Sequence, residues 1–389
     1  MDPARNPYRP GAGTSPRMLA GRDRDIQEAQ TLARRVALGN PQRSIMFYGL
    51  RGVGKTVLLN EAERCFEKEN YLFEHLEISQ NDDFRSVISA TLRKILLRTS
   101  GVEKAKDLAT KGLRALKSFV LAIPEGPELR LDLEPLLGTA DSGDLQADLV
   151  EMFVLVGEAA KASDKPVAIF VDEAQYLAER DFAALIASCH RISQLSLPLV
   201  VVCAGLPQIA ALAGDAKSYA ERLFDFRPVA TLSKLDARSA IVEPAKEEGM
   251  TLSDEVIAVA LSATEHYPYF IQEFGKQLWD LAQNETPTED EAREAETKMI
   301  ESLDNSFFKT RLDRATNGEK KFMVALGRLG PGHQRISDLA AALGKKVQSL
   351  GPDRANLIHK GFIYSPDHGH ICFTVPHFDR FLARTFPEK

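Results

Sequence analysis

The 389-residue sequence predicts an α/β core on a parallel sheet, then an all-α segment, then a small module of three helices and a hairpin. Three observations carry this reading. Between residues 21 and 232, short apolar runs (Ile45–Tyr48, Tyr71–Phe73, Val167–Val171, Leu199–Cys203) alternate with longer stretches of helical spacing. That alternation marks strands buried on both faces and flanked by helices. From 233 to 316 the strand runs vanish and helical spacing takes over. From 317 to 389, helical patterns at Glu319–Leu329, at Ile336–Leu343 and from Pro352 to just before Gly361 precede two apolar runs, Phe362–Tyr364 and Ile371–Val375.

Residues 1–20, with Pro3, Pro7, Pro10, Gly11, Gly13 and Pro16, read as an extended arm rather than a packed element. A helix follows from Ile26 to Leu38, with Asp23 or Asp25 placed to cap it. Residues 98–145 interrupt the core as an insertion, with a basic amphipathic stretch (Lys104, Lys106, Lys111, Arg114, Lys117) and a loop holding Pro124, Pro127 and Pro135. The expected domains are therefore an arm at 1–20, a core at 21–232, a helical domain at 233–316 and a terminal module at 317–389.

Composition bounds the function. With 44% hydrophobic and 27% charged residues the chain is an ordinary globular protein, which excludes disorder and fibrous architecture. A net charge of −6 argues against coating nucleic acid by bulk basicity. The four cysteines form no C-x-x-C pair, so no disulfide framework is expected and a reducing cytoplasm fits. No run approaches the ~18 apolar residues of a membrane span, and Met1–Arg5 lacks the apolar stretch of a signal peptide.

The strongest motif is Gly49-Leu50-Arg51-Gly52-Val53-Gly54-Lys55-Thr56, which fits G-x-x-x-x-G-K-[ST]. Glycines let backbone N–H groups close on phosphate oxygens, Lys55 supplies a point charge for the β and γ phosphates, and the Thr56 hydroxyl can ligate Mg²⁺. The run Ile45–Tyr48 enters the loop and a helical pattern starting at Val57 leaves it, adding the helix N-terminus to the anion site. The complementary acids stand at Val167–Val171 followed by Asp172-Glu173. An acid pair ending a buried strand is costly unless a cation or water uses it. Asp172 would hold the Mg²⁺ water shell and Glu173 would act as general base on the attacking water.

The loop at Gly49–Thr56, the Asp172-Glu173-Ala174-Gln175 box and the domain order resemble AAA+ ATPases, closest to the origin-recognition-like and STAND-like branch with a DEAQ box. The resemblance implies an ASCE-type five-stranded parallel sheet, a helical lid, and ATP with Mg²⁺ as cofactors. Gly21-Arg22 is similar to the segment that family places beside adenine; a plain helix cap is the competing reading. Arg222 falls where the family often keeps an arginine finger acting on a neighbouring subunit, against a surface ion pair with Glu221 or Asp225. The end of Leu199–Cys203 lacks the family's polar sensor, since Ala204-Gly205-Leu206-Pro207 follow. No sensor arginine stands at His266–Gln272, which resembles the opening of a lid helix.

The terminal module resembles a winged helix. It holds eleven Lys/Arg against six Asp/Glu, a net +5 that leaves −11 for the rest. Lys345, Lys346, Arg354 and Lys360 lie on or before the third helix, where a helix-turn-helix reader meets double-stranded DNA. Docking to protein is the alternative use. His368, His370 and Cys372 alternate on the hairpin, and a solvated hairpin is favoured over a metal site there. The functional expectation is an ATPase that drives or gates self-association and acts on DNA through 317–389. The competing expectation is a nucleotide-dependent switch or protein-assembly motor.

Overall fold

Strands as apolar as Val167–Val171 have no face that tolerates water, so they pair at the centre of a sheet. The computed structural model describes residues 1–121, 133–217 and 220–387, which cluster into two units. Pro124 and Pro127 of the expected insertion loop lie outside the described residues, as does Tyr219 beside Arg222.

One unit comprises Asp23–Tyr48 and Lys55–Pro228. Its elements are α1 (Asp23–Ala37), β1 (Ser44–Tyr48), α2 (Lys55–Lys68), β2 (Leu72–Glu77), α3 (Phe84–Ser100), α4 (Lys106–Leu121) and α5 (Leu145–Ser163). They continue with β3 (Val167–Asp172), α6 (Glu179–Gln194), β4 (Leu199–Gly205), α7 (Gln208–Ala216), α8 (Ala220–Leu223) and β5 (Phe224–Pro228). The five strands order β2-β3-β4-β1-β5 with every neighbouring pair parallel. Strands β3 and β4 are buried at every residue. Register sets Tyr48 beside Gly205 and both Met46 and Val171 beside Cys203, so β1, β3 and β4 end together.

The stretch expected as an insertion is part of this core. Helix α4 contributes Leu113, Leu116 and Phe119 to it. Gly112 lets α4 approach α3, since a Cβ there would meet Leu96 Cδ2 at 2.7 Å. Two cations of the expected basic face hold the returning chain: Arg114 Nε donates to Glu134 O (3.0 Å) and Lys117 Nζ to Leu133 O (2.7 Å).

The other unit comprises Met1–Arg22, Gly49–Gly54 and Val229–Lys389. Its helices are α9 (Lys234–Glu247), α10 (Asp254–Thr264), α11 (Pro268–Leu281) and α12 (Glu289–Ser302), then a π-helical turn at Leu303–Phe308 and α13 (Lys309–Leu312). Capping boxes at Thr288/Glu291 and Thr316/Glu319 start α12 and α14 (Asn317–Arg328). Next come β6 (Gln334–Arg335), α15 (Ile336–Ala342), α16 (Gly351–His359), β7 (Ile363–Tyr364), β8 (His370–Phe373) and α17 (Phe378–Thr385). The small sheet orders β6-β8-β7, both pairs antiparallel. Strand β6, two polar residues long, had no sequence signal to read, whereas α17, which packs on α14, carries Phe378, Phe381 and Leu382 at i, i+3, i+4, a helical pattern that sequence reasoning passed over.

The proline-rich arm is packed, contrary to expectation. Tyr8 is 4% exposed and its hydroxyl donates to Ile241 O, while the Trp279 indole donates to Asp2 O (2.8 Å). Prolines stop the arm from joining a helix, and one buried aromatic fixes it all the same. Among the described residues no helix is long and apolar enough to cross a membrane.

Candidate nucleotide site

The loop between β1 and α2 needs its glycines. Gly52 (φ +82°) and Gly54 (φ +93°) lie in the left-handed region, and a Cβ on Gly49 would meet Val229 O at 2.1 Å. Within the unit that holds Gly49–Gly54, three groups fix the loop. The Arg22 guanidinium, 7% exposed, donates to Val53 O (3.1 Å) and Ala230 O (2.6 Å). The Tyr269 N–H donates to Gly52 O (3.2 Å), with the Tyr267 ring close enough that a Cβ on Gly52 would sit 3.0 Å from it. The Arg51 N–H donates to Thr374 O (3.2 Å) in the segment after β8. Gly21 turns the chain into Arg22 at φ +66°, where a Cβ would meet Asp236 Oδ2 at 2.7 Å. Gly21 and Arg22 thus have a visible structural task, clamping the loop. Leu50 is half-buried and Val53 buried.

The other unit carries the acids. Lys55 opens α2 and is 7% exposed, and Val57 packs into the core. The Thr56 hydroxyl donates to Asp172 Oδ2 (2.6 Å), and the Glu173 N–H donates to Asp172 Oδ1 (2.8 Å). Asp172, 4% exposed, therefore joins the first turn of α2 to the backbone of Glu173. Glu173 takes a left-handed conformation (φ +52°), rare for a side-chain-bearing residue, which turns the chain sharply at the end of β3. A hydroxyl and a carboxylate meeting here are hard oxygen donors of the kind Mg²⁺ prefers, so Thr56 and Asp172 fit that ion. Among the described residues, no group of three or more His, Cys, Asp or Glu is arranged to hold a metal, including His368 and His370 of the terminal hairpin.

Sequence reasoning quoted Gln175 but gave it no role. Its Nε2 donates to Glu173 Oε2, and its Oε1 accepts from the Leu206 N–H (2.9 Å). Gln175 thus ties the backbone just after β4 to Glu173, a link that no strand-based pattern reveals.

Arg222 is exposed on α8, two residues before β5. Phe224 pairs with Ser44, the first residue of β1, so Arg222 stands at the opposite end of the sheet from Asp172. The strand length alone separates those ends by roughly 13 Å at ~3.3 Å per residue.

In the terminal module the expected cationic cluster divides. Lys345 and Lys346 are exposed. Arg354 is half-buried and bonded to Ser365 Oγ (2.6 Å). Lys360 donates to both oxygens of Glu319 (2.7 and 2.9 Å), whose side chain is 1% exposed. Burial alone would raise the Glu319 carboxyl, but hydrogen bonds from Lys360 and the Thr316 N–H, with the Lys360 charge, hold it below the ordinary carboxylate range.

A family described as "AAA ATPase domain" matches residues 18–202, and one described as "Domain of unknown function (DUF8462)" matches 305–382. No curated protein matches the chain. Among solved structures, the Walker-type ATPase of Pyrococcus abyssi is similar at 14% identity and TM-score 0.56, covering 94% of this chain and 96% of that one. Cdc6p of Pyrobaculum aerophilum is similar at 15% identity and TM-score 0.51, covering 98% and 96%. At these identities the two structures report on fold, and the domain match reports on the nucleotide site.

Proposed function

We propose that the chain is a AAA+ P-loop ATPase, its ATPase domain matching at residues 18–202, in which ATP hydrolysis is carried by Lys55, Thr56, Asp172 and Glu173. The hydrogen bond from Thr56 to Asp172 supports this above all, because it joins the first turn of α2 and the strand-end acid in one cluster. Gly49, Gly52 and Gly54 shape the loop, with Leu50, Arg51, Val53 and Val57 lining or supporting it and Gly21-Arg22 holding it. Lys55 binds the terminal phosphates. Thr56 and Asp172 hold Mg²⁺, which supplies charge neutralisation on the phosphates when bound. Glu173 takes a proton from the attacking water. Glu173→Gln is expected to bind ATP and lose turnover; steady-state hydrolysis with a parallel binding titration tests this, and retained turnover removes Glu173 as the base.

The larger reading is an ATPase whose nucleotide state drives self-association and whose segment 317–389, read as a winged helix, engages double-stranded DNA. The +5 charge of that segment and the exposure of Lys345 and Lys346 support the DNA reading. Arg222, at the opposite end of the sheet from Asp172, suits an arginine finger for a neighbouring subunit. A second reading, a switch gated by the terminal module, is favoured by the hydrogen bond from Arg51 N–H to Thr374 O. Gel-shift titration over a salt series, with and without ATP, separates them: salt-dependent binding lost on deleting 317–389 supports DNA engagement, and no binding at low salt favours the switch.

A further inference from the structure

We infer that Gln175 is a positioning residue that couples the end of β4 to the carboxylate of Glu173. The inference rests on Glu173 being the base. A primary amide is suited to this place because it is donor and acceptor at once. Its Nε2 donates to Glu173 Oε2 while its Oε1 accepts from the Leu206 N–H at 2.9 Å. Both anchors are firm. Glu173 is pinned at its backbone by Asp172 (2.8 Å), and Leu206 directly follows β4, a strand buried at every residue. Gly205 leaves the space that Gln175 fills: a Cβ there would meet Gln175 Oε1 and the mobile end of Ile209, Cδ1, both at 2.9 Å. The side chain of a general base must be held within a narrow range of orientations to reach water in line with the phosphate. Gln175 restricts Glu173 in that way, and it makes the orientation depend on where β4 ends. A shift of the β4 terminus would move the Leu206 N–H, then the amide, then the carboxylate.

Two perturbations approach this chain from opposite ends. Gln175→Ala removes the bridge, and Gly205→Ala pushes against its oxygen. Each is expected to lower kcat for ATP hydrolysis about tenfold, with KM and ATP affinity within about twofold of the parent. The double variant should be no slower than the slower single one, because both break one linkage. Gln175→Met keeps length and bulk without the amide and should be as slow as Gln175→Ala; recovery by Met would reduce Gln175 to a packing role and overturn the inference. Multiplicative losses in the double variant, or a parent-like kcat for Gln175→Ala, would also overturn it. Turnover persisting in Glu173→Gln would instead strike the assignment of the base. Loss of turnover in Glu173→Gln beside a parent-like Gln175→Ala would strike this inference alone.

Discussion

Asp172 spends both carboxylate oxygens inside the protein, one on the Thr56 hydroxyl and one on the Glu173 N–H. That explains how a 4% exposed acid is tolerated at the end of an apolar strand before any ligand arrives. Lys55 has the complementary task. Lys55→Ala removes a cation from the first residue of α2 and should weaken ATP binding at least tenfold, read by equilibrium titration; unchanged affinity would withdraw the phosphate-loop assignment. A second residue-scale outcome concerns packing. A Cβ on Gly275 would lie 2.3 Å from the Tyr8 ring, so Gly275→Ala should overpack that contact and destabilise by about 1–3 kcal/mol, seen as a lower thermal midpoint.

At the scale of elements, α14 and α16 show how a charge read as DNA-facing can be structural. Lys360 follows α16 and closes on Glu319 of α14. Removing one partner of a buried pair costs about 3–5 kcal/mol, so Lys360→Met should destabilise the packing of α14 against α16 markedly, whereas Lys345→Ala and Lys346→Ala should leave melting intact. If DNA is the ligand, each of the latter two should reduce the slope of log K against log salt by about 1. The pair also fixes the sign of a pH effect. The folded Glu319 carboxyl lies below its unfolded value of ~4.3, so its stabilisation is full above that pH and is lost as pH falls through the folded value. Acid melting of the module, with Glu319→Gln as the control that flattens it, checks this. The core strands, the phosphate loop and the Asp172-Glu173 pair were legible because each is a local run with strong chemistry. Gln175, β6 and the seat of Tyr8 were not, because each depends on a partner far away in the chain.

At the scale of the whole molecule, Arg222 precedes β5 and Glu173 follows β3, so they stand beyond opposite ends of one sheet. If Arg222 serves a neighbour, Arg222→Ala mixed with Glu173→Gln should recover part of the hydrolysis that each lacks alone, because one interface in the mixture pairs an intact finger with an intact base. Hydrolysis in the mixture no higher than the sum of the separate variants would place Arg222 outside the reaction. The domain match ends at residue 202, while the fold likeness to the Walker-type ATPase continues across nearly the whole chain. A separate family match at residues 305–382 lies in the remainder, so recognisable sequence stands both in the nucleotide-binding part and near the C-terminal end.

The docked arm bears on how the protein is made. Tyr8 finds its acceptor at Ile241, 233 residues further along the chain. At about 5–20 residues per second of synthesis, the arm waits roughly 12–47 s before that partner exists. Through that interval the Tyr8 ring is open to chaperones and proteases, and the sheet with its phosphate-binding helix can form first. Closure of the arm is thus a late event that reports completion of α9 and α11, so protection of the Tyr8 region from proteolysis should lag behind that of the sheet.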